Sequence, residues 1–216
     1  MTPPITEPDD TAILVHGLWM HGLILAPCQH WLKKEGFATR RCSYPSWSRD
    51  LEWNADTLSD FVANTPGKQI HLVCHSLGGL VALVMLGRHR DARIQRLVLM
   101  GTPVADCHCG RYLAGRKILA PFLGRSMGDW LTRTRTAVPD GIEIGVLAGT
   151  RRLGLGCVIP GLQRPNDGVV AVAETRLPEA KDHLILPVSH SGMLFSPSCA
   201  RQAAHFLKTG GFVHDR

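Results

Sequence analysis

Short apolar runs alternate with longer segments of helical pattern along most of the chain. Apolar runs of about four to eight residues between turn signals are typical of buried strands, whereas helices are longer. Regular alternation of the two predicts an α/β protein with a mostly parallel sheet of about six strands and helices on both faces. The predicted strands are 11–15, 38–44, 70–73, 94–100, 142–149 and 184–188. The predicted helices are 23–34, 51–64, one that follows the third strand and ends near residue 89, and one at the C-terminus.

The alternation stops at residues 104–139, where no strand is predicted. Two weakly amphipathic stretches, 111–122 and 127–131, are separated there by Gly124. This insertion is basic and adds to a net charge of +6, so it suits weak contact with an anionic membrane surface or an acidic substrate; solvated faces are the alternative. Its cations are Arg111, Arg116, Lys117, Arg125, Arg133 and Arg135, against Asp106 and Asp129.

Length and composition favour one globular domain, residues 1–216. Hydrophobic residues make up 44% and charged residues 19%, as in soluble proteins, and no apolar run is long enough to predict a membrane span. The first ten residues are polar, proline-rich and acidic, unlike a secretory leader. Seven scattered cysteines indicate reduced thiols, so we expect a cytoplasmic protein. No nucleic-acid motif accompanies the positive charge, and no nucleic-acid partner is expected.

The segment 74–79, Cys-His-Ser-Leu-Gly-Gly, joins a predicted strand to an apolar helix. A serine exposed on so sharp a turn is typical of a nucleophile and needs small residues two positions before and after it, here Cys74 and Gly78. The segment resembles the nucleophile elbow of α/β-hydrolases, most closely the His-Ser-Leu-Gly-Gly form of lipase-like and esterase-like members, with cysteine where glycine is preferred. Ser76 is the candidate nucleophile, and an ordinary turn is the alternative.

The resemblance covers nearly the whole chain and implies an α/β-hydrolase fold in which residues 104–139 are a lid insertion. It also implies an oxyanion hole, formed by the backbone N–H groups of Leu18, in the loop after the first strand, and Leu77. His16 in that first loop is an alternative general base. The family order, in which the base follows the serine, argues against it.

By the same family order, the base lies beyond the last strand and the acid beyond the strand before it. His190 occupies the first position, flanked by serines and glycine, while His183 at the start of the same apolar run suits a solvated strand residue. Asp167 lies in the segment 166–170, Asn-Asp-Gly-Val-Val, which resembles the acid loop of lipases. Asp167 also suits a helix cap, and the two roles are compatible.

Six apolar residues fall near the predicted site and suit a pocket for an acyl chain, although each also suits the core. They are Trp19, Met20, Leu155, Ile159, Met193 and Leu194.

No cofactor or metal is expected. Gly154 and Gly156 weakly resemble a dinucleotide fingerprint, but no adequate helix follows them. The segment 107–109, Cys-His-Cys, lacks a second ligand pair, and surface loop residues are the preferred interpretation.

Together these features predict a serine hydrolase that cleaves carboxylic esters of small molecules or lipids through an acyl-enzyme. Acyl transfer or thioester cleavage by the same triad is one alternative. A non-catalytic scaffold that binds a lipid or a protein is the other.

Overall fold

The computed structural model describes residues 9–133 and 140–214. Residues 1–8, which are most of the polar N-terminal segment considered above, and Arg135 of the basic insertion lie outside the described residues.

Six parallel strands form one sheet in the order β2-β1-β3-β4-β5-β6. This arrangement confirms the predicted α/β-hydrolase fold with a sheet of about six strands. The strands are β1 Asp10–Val15, β2 Ala38–Cys42, β3 Gln69–His75, β4 Ile94–Met100, β5 Glu143–Gly149 and β6 Asp182–Leu186.

Six α-helices are formed by the described residues: α1 Ala26–Lys34, α2 Leu51–Ala63, α3 Leu77–Arg88, α4 His108–Ala114, α5 Gly124–Thr132 and α6 Pro197–Thr209. Helices α1 and α6 pack together against one face of the sheet, and α2 and α3 pack together against the other. Two separate apolar clusters fill these layers. None of the helices in the described ranges has both the length and the apolar content needed to span a bilayer.

Helix α3 follows the candidate nucleophile directly and is the most buried helix of the fold. Every residue from Leu77 to Leu86 is buried. The helix is apolar on all sides because it lies between the sheet and α2, and such helices belong to the interior of a layered protein. Its first turn is therefore held rigidly beneath Ser76.

The last strand begins and ends two residues earlier than the predicted 184–188. Asp182 to Leu186 pair with Gly145 to Gly149 of β5. The ladder stops at Pro187 because proline has no backbone N–H to donate, and Val188 N–H instead donates to the Leu186 carbonyl at 2.8 Å. The loop that carries His190 therefore starts at Pro187, two residues earlier than the apolar run predicts.

The insertion contains α4, a 3-10 helix at Ala120–Leu123 and α5, and no strand among its described residues 104–133. The weakly amphipathic stretch 127–131 lies within α5, whereas the stretch 111–122 covers the end of α4 and most of the 3-10 helix. Helix α5 begins at Gly124, whose φ of +71° reverses the chain. Helix α5 is attached to α2: Asn54 Nδ2 donates to Ser126 Oγ at 2.7 Å, and Leu51 N–H donates to Asp129 Oδ2 at 3.1 Å. Helix α5 of the insertion is thus anchored to the body of the fold.

Candidate active site

Ser76 occupies a strained turn between β3 and α3. Its φ of +53° and ψ of −125° lie in a backbone region that residues other than glycine rarely adopt. A Cβ atom on Gly78 would stand 2.5 Å from the His16 carbonyl oxygen, and one on Gly79 would overlap Thr102. Both glycines are therefore required for α3 to approach the sheet so closely, and Ser76 is lifted from the end of β3.

Cys74 replaces the preferred glycine of the elbow without disturbing it. Its side chain is fully buried in the apolar cluster that also contains Cys42 and Tyr44. Burial raises the pKa of the Cys74 thiol well above its ordinary value, so the thiol stays protonated and unreactive.

The loop after β1 passes directly beside Ser76. A Cβ atom on Gly17 would stand 3.0 Å from Ser76 Cβ, so glycine is needed for this approach. The next two residues, Leu18 and Trp19, border the same cavity as the serine, and Trp19 has a φ of +58°. Among the described residues, no hydrogen bond uses the N–H of Leu18 or Leu77. Both donors are thus free to bind an oxygen atom of a substrate.

His16 is a structural residue rather than a base. Its Nε2 accepts a hydrogen bond from Tyr44 N–H at 3.2 Å, so Nδ1 carries the proton and donates to the Gly17 carbonyl at 2.9 Å. The ring is buried and stacks on Tyr44 with centroids 4.4 Å apart. Burial also lowers the pKa of His16, which keeps the ring neutral. His16 therefore holds the loop in place.

His190 and Asp167 form a buried hydrogen-bonded pair. His190 Nδ1 donates to Asp167 Oδ2 at 2.7 Å, and His190 N–H donates to the Asp167 carbonyl at 2.9 Å. The second carboxylate oxygen, Oδ1, accepts from the N–H groups of Val169 and Val170 at 2.9 and 2.7 Å. The carboxylate is thus oriented by two donors and leaves one oxygen to fix the imidazole, with Nε2 of the ring available as an acceptor.

Ser76 and His190 line one cavity of about 230 Å³. They lie, with Asp167, in the segments that follow β3, β5 and β6, at the carboxyl edge of the sheet where ligands bind in parallel α/β folds. No hydrogen bond of standard length joins the serine and histidine side chains in the part of the chain that the structure describes. Such contacts are often longer in ligand-free enzymes and shorten on binding.

The cavity is mainly apolar, and three of the predicted pocket residues, Trp19, Met20 and Leu155, line it. The structure places the other three elsewhere. Met193 and Leu194 are buried in the cluster beneath α1 and α6, because the 3-10 helix Ser191–Leu194 turns inward towards the sheet. Ile159 is also buried, outside the lining of this cavity.

The insertion supplies one wall that the sequence interpretation missed. Cys107 and Cys109, expected at the surface, are buried, and burial raises the pKa of each thiol to about 12. The missed residues are Cys107, Cys109, Leu113, Leu123 and Met127, joined by Val169 and Val170 of the acid loop. The spacing of four residues from position 109 to 113 was the available signal in α4, because it places that pair on one helical face. In the described ranges, no cluster of three or more His, Cys, Asp or Glu side chains is placed to hold a metal ion.

The sequence matches the model of the alpha/beta hydrolase family over residues 12–202. The chain belongs to this family. None of the curated protein sequences compared with it matches.

Solved structures of hydrolases share the fold at low sequence identity. The Bacillus licheniformis lipase BlEst2 in its mature form superposes with a TM-score of 0.70 at 18% identity, covering 95% of this chain and 93% of the lipase. A metagenomic carboxyl esterase gives 0.65 at 17% identity, covering 93% and 75%. The pyrethroid hydrolase PytH gives 0.66 at 14% identity, covering 94% and 98%. The family's architecture therefore extends over almost the whole chain.

Proposed function

We propose that the protein is a serine hydrolase that cleaves carboxylic esters through an acyl-enzyme. The observation that carries the proposal is the buried Asp167–His190 pair beside the cavity that Ser76 borders. A serine on a strained elbow, a histidine with a free Nε2 and a carboxylate that fixes its tautomer are the parts that nucleophilic acyl transfer needs.

In this mechanism Ser76 Oγ attacks the ester carbonyl carbon and transfers its proton to His190 Nε2. The imidazolium is stabilised by Asp167, and the negative oxygen of the tetrahedral intermediate accepts from the N–H groups of Leu18 and Leu77. His190 then gives the proton to the leaving alcohol oxygen as the C–O bond breaks. A water molecule then attacks the acyl carbon and gives a proton to His190. The bond from that carbon to Ser76 Oγ breaks, His190 returns the proton to Oγ, and the acid is released.

The substrate we propose is a small-molecule or lipid ester with an apolar acyl part. Leu113, Leu123 and Met127 of the insertion form one wall of the cavity, and Trp19 and Leu155 border it on other sides. Such a site gains affinity from burial of an alkyl or aryl group, about 25 cal/mol for each Å² removed from water.

We also propose that the insertion, predicted over residues 104–139, covers the site as a lid. Residues 114–118, the tip of the insertion, are exposed, with Ile118 85% accessible, whereas α4 and α5 contact the cavity. Contact with an anionic surface at this tip is supported by Lys117, Arg116 and Arg125, all exposed. The other two cations among the described residues of the insertion are partly neutralised, because Arg111 pairs with Asp106 and Arg133 with Glu52.

Labelling with a fluorophosphonate probe tests the proposal directly. We expect one adduct, located by mass spectrometry on Ser76, and turnover of p-nitrophenyl esters of graded chain length. Ser76→Ala should abolish both, while Ser191→Ala, a change at a second serine of the same cavity, should retain both. Folded protein that is neither labelled nor active would refute the hydrolase and favour a non-catalytic binding scaffold.

A further inference from the structure

His75, the residue before the nucleophile, lies beneath the general base. Its side chain is fully buried, and its ring centroid is 4.7 Å from that of His190. His75 Nε2 is 3.0 Å from the carbonyl oxygen of His190. The only other ring nitrogen, Nδ1, has no hydrogen-bond partner among the described residues and faces Gly17.

These contacts fix the protonation state of His75. A carbonyl oxygen can only accept a hydrogen bond. Nε2 of His75 therefore carries the proton and donates a hydrogen bond to the His190 carbonyl, while Nδ1 is unprotonated. Burial is the main cause that lowers the pKa of His75 to about 3, and the neighbouring His190 and His16 lower it further, against an opposing effect of Asp167. The ring is therefore neutral at neutral pH.

His190 is held at three atoms by two different parts of the fold. Its N–H and its Nδ1 donate to Asp167 in the acid loop, at 2.9 and 2.7 Å, and its carbonyl accepts from His75 at 3.0 Å. His75 ends β3, and Ser76 follows it immediately. The third hydrogen bond thus connects the strand that carries the nucleophile to the loop that carries the base, across 115 residues of chain.

We propose that His75 is a positioning residue that ties the base loop to the nucleophile elbow and so sets the approach of His190 to Ser76. This role rests on the proposed serine-hydrolase mechanism. Catalysis by a nucleophile and a base depends steeply on their mutual geometry, and a displacement of about 1 Å costs roughly 100-fold in rate. The hydrogen bond from His75, which is covalently joined to Ser76, links the nucleophile to the base through a single residue.

The neutral state of His75 also suits a residue that positions His190. During acylation His190 accepts the serine proton and becomes a cation next to the His75 ring. A second cation at that distance would oppose the transfer, whereas a neutral Nε2–H donor leaves Asp167 as the dominant charge acting on the base. Asp167 and His16 are the other titratable groups whose charges act on His75.

The test compares two replacements of His75. His75→Gln keeps an amide N–H donor near the position of Nε2, whereas His75→Leu removes the donor and keeps an apolar side chain. We expect the leucine variant to lose about 10- to 100-fold in kcat for p-nitrophenyl butyrate with KM changed by less than about twofold, and the glutamine variant to recover most of the loss. His75→Asn, which is too short to reach the carbonyl, replaces the leucine variant if that protein does not fold.

His71→Leu is the matched control. His71 is also a buried histidine of β3, lies on the same strand face, and has an unpartnered Nδ1, but it lies near Asp10 and Phe37 rather than near the site. Removing it reproduces the loss of a buried imidazole without touching the base loop. We expect kcat to remain within about twofold of that of the unchanged protein, since the contacts that are lost, including that with Asp10, lie away from the site.

Hydrogen exchange separates this inference from the proposed function. In His75→Leu, amides of residues 188–192 should exchange about tenfold faster, and they should not in His75→Gln or His71→Leu. Unchanged exchange of this loop, or equal kcat in the leucine and glutamine variants, would overturn the positioning role. If exchange is faster in His75→Leu but the unchanged protein hydrolyses no ester, the hydrogen bond from His75 to the base loop is supported and the proposed hydrolase function is refuted.

Discussion

Gly101 lies directly against His190. A Cβ atom on Gly101 would stand 3.0 Å from His190 Nδ1 and 3.1 Å from Asp167 Oδ2. Gly101 follows β4 with a φ of +59°, and its N–H donates to the Leu147 carbonyl at 2.9 Å. The end of the fourth strand therefore packs against the pair of side chains contributed by loops after the fifth and sixth strands.

The first prediction is that Gly101→Ala damages catalysis more than stability. The positive φ costs an alanine about 1–2 kcal/mol, and the added methyl group must also displace the imidazole or the carboxylate. The shift needed is a few tenths of an ångström, so we expect kcat to fall by about 10-fold. Gly36→Ala is the control, because Gly36 has a φ of +97° and nothing within 4 Å of its added Cβ. Equal kcat in the two variants, measured beside their urea unfolding curves, would contradict the prediction.

The second prediction separates the two late histidines. His190→Ala should lower kcat by about 10⁴-fold or more, as removal of a general base does, while His183→Ala should retain most activity. His183 lies within β6, where its Nε2 is 3.2 Å from Thr175 Oγ1, at the opposite end of the strand from the cavity. Greater damage from His183→Ala in a folded protein would refute the assignment of the base.

The third prediction concerns Asp167→Asn and the histidine tautomer. The two N–H donors from Val169 and Val170 would hold the amide oxygen of asparagine, which turns its NH₂ group towards His190 Nδ1. Nδ1 would then accept, and the proton would move to Nε2, where it blocks acceptance of the serine proton. We expect kcat to fall by about 10⁴-fold with little loss of stability. A loss below tenfold in steady-state kinetics would show that Asp167 does not set the tautomer.

The sequence allowed the sheet and the elbow to be predicted because both depend on local pattern. Strands β1, β3, β4 and β5 are centred on apolar runs, and the elbow needs glycine at defined positions, here Gly78. The end of β6 was misplaced because Val188 continues the apolar run after Pro187, which cannot donate to the ladder. The pattern of apolar residues alone does not show that one residue in the run lacks the N–H needed for pairing.

The cavity wall was less predictable because it depends on tertiary packing. Cys107 and Cys109 belong to an insertion without strong periodicity, and only the docking of α4 over the elbow turns them towards the cavity. Alternation along β3 does place His75 on the same face as Val73, beneath α1 and α6. Its bond to His190 depends on the fold of a loop 115 residues away, which no local pattern contains.

The fourth prediction is that His75→Gln makes the protein less sensitive to acid. The pKa of His75 is about 3 in the fold and 6.5 ordinarily, so between these pH values the unfolded chain binds the proton and the fold does not. Stability therefore falls as pH drops below about 6.5, by about 1.4 kcal/mol per pH unit for this group. Burial lowers the pKa of His16 and His71 in the same direction, so the variant should retain part of the slope.

Urea unfolding at pH 7, 6 and 5 measures this difference. The free energy of unfolding of His75→Gln should decrease less steeply than that of the unchanged protein, by about 1.4 kcal/mol per pH unit below pH 6. Parallel slopes would mean that His75 is protonated in the fold, contrary to the pKa assigned to it.

The last prediction tests the exposed tip of the insertion as a contact for anionic lipid. Near an anionic surface each unpaired cation contributes about 1 kcal/mol, within a screening length of about 8 Å at physiological salt. Lys117 is exposed, whereas Arg133 is paired with Glu52 at 2.6 Å. Lys117→Gln and Arg133→Gln therefore each remove one positive charge, but only the first removes an exposed charge that is not paired with a carboxylate. We expect weak binding to phosphatidylserine vesicles at low salt that Lys117→Gln lowers about fivefold and Arg133→Gln leaves nearly unchanged, measured by sedimentation. Hydrolysis of a soluble short-chain ester should stay the same in both variants, because neither side chain lines the cavity. Equal losses of vesicle binding in the two variants would show that the attraction depends on net charge alone. If the protein does not bind at low salt, the tip is a solvated face and not a lipid contact.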